Sequence, residues 1–139
     1  MNRPPHHEKI HLLALEIVNA VDSNSESGAY DAIRDICETH EGTPLDHPFQ
    51  WETLGDFTYT NNEKALSIYF KALELAKKSN LIEYIASINL AIACQYQELE
   101  EFNKSWEFAN FANEAAKSSS DLALKHEINE ILLETSKYT

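Results

Sequence analysis

Basic residues are scarce in this chain: 11 lysines and arginines stand against 23 aspartates and glutamates, a formal net charge of −12 over 139 residues. So large a negative excess repels phosphate, and neither nucleic acid nor an anionic membrane is expected as a partner. Cysteine is scarce too, with only Cys37 and Cys94. A secreted disulfide scaffold needs more, so two reduced thiols and a cytoplasmic location are the expectation. The first twenty residues carry an apolar stretch after Arg3, but Glu8, Lys9, Glu16 and Asn19 interrupt it. They make a poor signal peptide and are too polar to span a membrane. Proline and glycine run out early: from Phe49 to Thr139 there is no proline and a single glycine, Gly55. Helices joined by short turns meet that description, and no stretch of useful length alternates with a period of two.

What is present is apolar material, 43% of the residues, which at this length suffices for one domain with its own core. Helical spacing predicts seven helices, over residues 6–21, 29–40, 49–60, about 64–78 after the turn "TNNE", 81–99, 102–117 and 121–136. In the first, Ile10, Ala14, Ile17, Val18 and Val21 form the apolar stripe. Tyr30, Ile33, Ile36 and Cys37 point inward from the second. Pro48 suits the start of the third, and Ser120 or Asp121 the cap of the last.

The chain repeats itself. "KALSIYFKALELAKKSNLIEYIASIN" (residues 64–89) aligns without a gap on "KSWEFANFANEAAKSSSDLALKHEIN" (residues 104–129). Lys64, Ala72, Glu74, Ala76, Lys77, Ser79, Ile88 and Asn89 recur as Lys104, Ala112, Glu114, Ala116, Lys117, Ser119, Ile128 and Asn129. Each unit is a helix, a turn and a helix.

On these residues the chain resembles the tetratricopeptide repeat (TPR) family. Trp51 to Gly55, "WETLG", matches the opening of that repeat, and Ala65, Tyr69 and Ala72 match the small-large-small pattern of its second helix. The next unit matches through Ile92, Ala93, Tyr96, Phe102, Ser105 and Ala112. The resemblance implies an all-α, TPR-like right-handed solenoid of antiparallel helix pairs. Residues 49–136 would hold two units and a closing helix, and residues 6–46 an N-terminal helix pair, open to reading as a degenerate repeat although no repeat motif is found in it. The small residues then mark places where helix backbones approach closely.

One motif points elsewhere. "HEKIH", His7 to His11, fits the H-E-x-x-H pattern of zinc proteases, in which two histidines four apart bind metal and the glutamate serves as base. In those enzymes the motif lies deep in a mixed α/β domain, with a third ligand from further on. Here it begins at residue 7 of an all-α chain, with the charged Lys9 inside it. An accident of composition is the better account. No phosphate loop and no Cys-x-x-Cys pair is present, and Cys37 with His40 is helical spacing. No catalytic residue, metal or cofactor is expected.

The resemblance further implies that the first helix of each unit lines a concave face. Phe49, Glu52, Asp56 and Tyr59 would lie there from one unit, and Ser87, Leu90, Cys94, Gln97 and Glu98 from the next. Glu127, Glu130 and Glu134 of the closing helix would complete an acidic wall. All are expected to be exposed, the aromatics as anchors. Such a face suits a basic protein. The expectation is a non-catalytic binding domain, in its most concrete form a bacterial immunity protein that neutralises a toxin acting in the cytosol. The alternative is a TPR adaptor or secretion chaperone holding a peptide or a helix.

Overall fold

The computed structural model describes residues 3–20, 28–58 and 60–139. The described residues form seven helices and no strand: α1 (His7–Ala20), α2 (Ala29–His40), α3 (Pro48–Asp56), α4 (Asn62–Lys78), α5 (Ile82–Glu98), α6 (Phe102–Ala116) and α7 (Leu122–Ser136). None is long and apolar enough to cross a membrane. The expected helices are all there. Their starts carry the repeat: α4 begins at Asn62 and α6 at Phe102, α5 at Ile82 and α7 at Leu122, a step of forty each time.

Local chemistry sets the boundaries. His47 caps α3, its Nδ1 accepting from the Phe49 N–H at 3.1 Å, and Pro48 takes the first helical position. The Asn61 side chain accepts from Lys64 N–H to open α4, and Asp121 from Leu124 N–H to open α7, each at 3.0 Å. Helix α3 ends at Asp56, short of the expected residue 60. The hydroxyl of Thr58 takes the Leu54 carbonyl at 2.8 Å, and Phe57 and Thr58 N–H bond three residues back. The turn tightens and the helix stops.

Helices α4 and α5 end alike. Leu81 N–H reaches the Ala76 carbonyl around Asn80 (φ 53°), and Glu101 N–H reaches the Tyr96 carbonyl around Glu100 (φ 59°). Both closures place a left-handed residue just past the helix, where glycine is favoured. Asn80 tolerates that conformation; Glu100 is strained by it. Glu100→Gly is expected to raise stability by about 0.5–1 kcal/mol, read as a higher urea midpoint with an unchanged slope. A lower midpoint would show that the turn does not hold this conformation.

Each helix packs on the next. In addition α1 meets α3, α3 meets α5 and α5 meets α7, whereas the backbones of no even-numbered pair come that close among the described residues. Ile33, Cys37, Trp51, Leu54, Tyr69 and Ile92 belong to one buried cluster, drawn from α2 to α5. Ala86, Leu90, Ala93, Ala109, Ala112 and Ile128 belong to a second, drawn from α5 to α7. Phe108 packs against both, so the core is continuous through α5 and α6.

The first helix departs from its expected stripe. Ile10 is fully buried, and Leu13 and Ile17 pack against the cluster drawn from α2 to α5, but Val18 is exposed along with Leu12 and Leu15. The inward face is rotated by about one residue, because α1 meets both α2 and α3. Val21 and residues 22–27 lie outside the described residues.

Candidate functional site

The two carboxylates of α3 stand four residues apart on one face, as the sequence requires; Glu52 turns into the half-buried interior, whereas Asp56 stays exposed as expected. The Ser87 hydroxyl on α5 donates to Glu52 Oε2 at 2.7 Å, and the Tyr69 hydroxyl on α4 donates to Asp56 Oδ1 at 2.6 Å. Burial pushes the Glu52 carboxyl up to about 7; the Ser87 bond opposes this and the nearby Asp56 charge adds to it. Burial also raises Asp56, against the pull of Tyr69, although part of the residue reaches solvent. Tyr84 is raised by burial and then by the Glu52 charge, and the His47 ring meets it edge-on at 5.3 Å. Glu52 is therefore a half-buried interior group and not the exposed one expected. Asp56 is held in place by Tyr69.

This fixes a pH dependence. Below about pH 4.5 Glu52 is protonated folded or unfolded and costs nothing. As pH rises from there through about 7 the unfolded chain releases its proton first, so stability falls. Glu52→Gln keeps an acceptor for Ser87 and removes the ionisation. It is expected to be more stable than the parent above pH 7 by roughly 1–3 kcal/mol, after allowance for partial exposure, and indistinguishable from it near pH 4. Denaturant melts at both pH values check this, with the exposed Glu107→Gln as the control for net charge. A gain in the control as large as that in Glu52→Gln would trace the effect to overall repulsion.

The expected aromatic anchors fare differently. Phe49 is half-buried with its ring stacked on His7 at 5.1 Å, so it joins α3 to α1 and is not a free contact. Tyr59 lies outside the described residues. The histidines of "HEKIH" serve packing: His7 also stacks parallel to His11 at 6.3 Å, and His6 stacks on His40 at 4.5 Å. Among the described residues no three His, Cys, Asp or Glu side chains converge as metal ligands.

The rest of the expected face does come together. Leu90, Cys94 and Gln97 recur at steps of four and three along α5; Glu127, Glu130 and Glu134 do so along α7. The two stripes line one open groove of about 540 Å³, closed at its end by Lys137. Ile131 and Leu133 line it as well, and neither was expected from sequence. Ile131 could have been found, since it stands four residues from Glu127. Leu90 is a correction: at 6% exposed it is the floor of the groove, packed with Ala93 and Ile128, and not a projecting contact. Glu98 is another, because it turns aside to accept from Asn62 Nδ2 at 2.7 Å.

Glu127, Glu130 and Glu134 are exposed. Glu130 pairs with His126 at 3.0 Å and Glu134 with Lys137 at 3.3 Å, but such surface pairs within one helix hold a side chain only weakly. Both carboxylates can exchange those partners for a cation on another protein. Cys94 reaches solvent in part, yet burial of its thiol, together with Glu127 and Glu98, pushes it up to about 11. A thiol so held is a poor nucleophile at neutral pH. The groove offers an apolar floor, an acidic wall and no activated group. No family model, curated protein or solved structure matches the chain.

Proposed function

We propose that this chain is a non-catalytic, TPR-like binding domain that sequesters a basic protein through the groove between α5 and α7. The observation that carries the reading is the meeting of three exposed glutamates with an apolar floor in one cleft. The carboxylates attract and orient a cationic surface, and Leu90, Ile131 and Leu133 give its aliphatic side chains somewhere to go. The successive contacts of α1 with α3, α3 with α5 and α5 with α7 support the solenoid. They are what a right-handed stack of antiparallel pairs requires of its inner layer.

The concrete form is an immunity protein for a cytosol-acting toxin such as a nuclease. A cleft that binds polyanion is cationic, and an acidic protein of net charge −12 can cover it stoichiometrically without chemistry of its own. The apolar floor favours a second reading, an adaptor or secretion chaperone that holds an amphipathic helix. Capture of partners on the full chain, followed by assay of the captured protein, tests both. A basic enzyme inhibited at one-to-one stoichiometry supports the first reading; an uninhibited client carrying a basic amphipathic helix supports the second. Partners that bind the groove-reversed variant described below as well as the parent would sink both.

A further inference from the structure

Among the described residues α1 packs only on α2 and α3, which leaves its outer side without a neighbouring helix. That side is not polar. Leu12 is 60% exposed, Leu15 45% and Val18 55%. Helical geometry turns all three away from the buried Ile10, with Leu12 and Leu15 at the centre of the outer stripe and Val18 on one edge. The end of a helical stack needs a polar outer face to stay in solution. Large apolar side chains grouped there are the mark of a surface that another molecule covers.

Charge says what covers it. With histidine neutral, residues 3–20 carry two cations, Arg3 and Lys9, and two anions, Glu8 and Glu16, so the net charge of −12 lies wholly beyond them. Two copies can meet here without the repulsion that the acidic remainder would bring. The pattern is also self-complementary. Lys9 and Glu16 are both exposed, and among the described residues neither has an ion-pair partner. They stand two turns apart, about 10 Å along the helix, too far to pair with each other in one chain. Yet they lie on the same edge of the apolar stripe, the one opposite Val18.

We infer that α1 is a self-association surface on which two copies of this chain pair antiparallel, Leu12 of each against Leu15 of the other. A two-fold axis across such a pair brings the same edge of both stripes together. Lys9 of one copy then faces Glu16 of the other, and the same contact forms a second time. With Leu12 opposite Leu15, the two charges are out of step by only two residues, about 3 Å, which long side chains span. A parallel pairing joins opposite edges, sets Lys9 beside His11 and forms no ion pair, so the charges select the antiparallel one. Each α1 has 14 residues. One pair of helices that short is at the small end of specific interfaces, so the dimer is weak, with a dissociation constant on the order of 100 μM. Helix α1 meets neither α5 nor α7, and the inference does not rest on the function proposed for their groove.

Sedimentation equilibrium of the full chain, from about 10 μM to about 1 mM at physiological ionic strength, tests this. A monomer–dimer equilibrium is expected. Leu15→Glu, at an exposed position, should leave a monomer that melts as the parent does. Lys9→Glu and Glu16→Lys should each weaken the dimer by about tenfold, because each sets like charges against each other twice. An equimolar mixture of these two variants should associate at least as tightly as the parent, since both contacts then join opposite charges. That rescue is necessarily between chains. A chain that stays monomeric at the highest concentration overturns the inference and leaves the face to a different protein. A dimer that survives Leu15→Glu overturns it as well and places the contact elsewhere. Mixed variants that associate no more tightly than either alone overturn the antiparallel pairing.

Discussion

Reversing the groove's three exposed carboxylates, Glu127→Lys, Glu130→Lys and Glu134→Lys together, is expected to weaken partner binding on the order of a hundredfold or more. The changes are confined to α7 because the α3 pair cannot serve. Lysine at Glu52 would bury an ammonium against Ser87, and lysine at Asp56 would strand the Tyr69 hydroxyl, so lost binding would follow from lost folding. On α7 the side chains stand in water and give up only the surface pairs with His126 and Lys137. Helicity and melting temperature should therefore change little. The net charge moves from −12 to −6, so the chain stays acidic and a loss of binding reports the groove and not the overall sign. Parental association should slow steeply as salt rises, since charges are screened over about 8 Å at physiological ionic strength, and the reversed variant should lose or invert that dependence. Leu133→Ala should instead speed dissociation. A partner bound equally by parent and reversed variant in low salt places the contact surface elsewhere on the chain.

Gly55→Leu is expected to cost about 3 kcal/mol or more, the largest stability effect of any single change considered. A Cβ at Gly55 would already stand 2.7 Å from Tyr69 Cε1 and 2.9 Å from Cδ1. The ring cannot swing away freely, because Tyr69 is 3% exposed and its hydroxyl is bonded to Asp56. For Gly55→Ala two effects oppose. Alanine gains up to about 1 kcal/mol as a helix former, while overpacking costs about 1–3 kcal/mol, so a small net loss is expected. Leucine adds three more carbons to the same contact with no further gain, and the loss dominates. Ala93→Leu should behave similarly: Ala93 is fully buried, and its carbonyl accepts from Ser105 Oγ at 2.7 Å across the α5–α6 crossing. Thermal melts decide, with a drop on the order of 10 °C for Gly55→Leu. Parental melting of both leucine variants would mean that the helices do not cross at these residues.

The legibility of this protein divides by range. Helix content followed from the near-absence of glycine and proline after Phe49 and from the apolar spacing. Both are local properties, and the seven helices stand within a few residues of where that spacing puts them. The forty-residue step was legible because a repeated unit must repeat its own packing residues. Gly55 and Ala93 could be assigned to close crossings because only small residues let backbones meet. The groove stripes on α5 and α7 were legible as three- and four-residue steps, a consequence of helix geometry alone.

Which carboxylate faces water was a different matter. Glu52 and Glu127 look alike in sequence, each an acid on a helix that also carries core residues. Ser87 stands 35 residues from Glu52, so only the packing of α5 against α3 could draw that acid inward, while Tyr69, thirteen residues from Asp56, bonds an acid that stays exposed. Glu98 was drawn off by Asn62, 36 residues away, for the same reason. The rotation of α1 likewise depends on what its neighbouring helices present. Periodicity specifies one face of one helix. Burial, and with it the cost of a charge and the need of a polar atom for a partner, belongs to the contact between two.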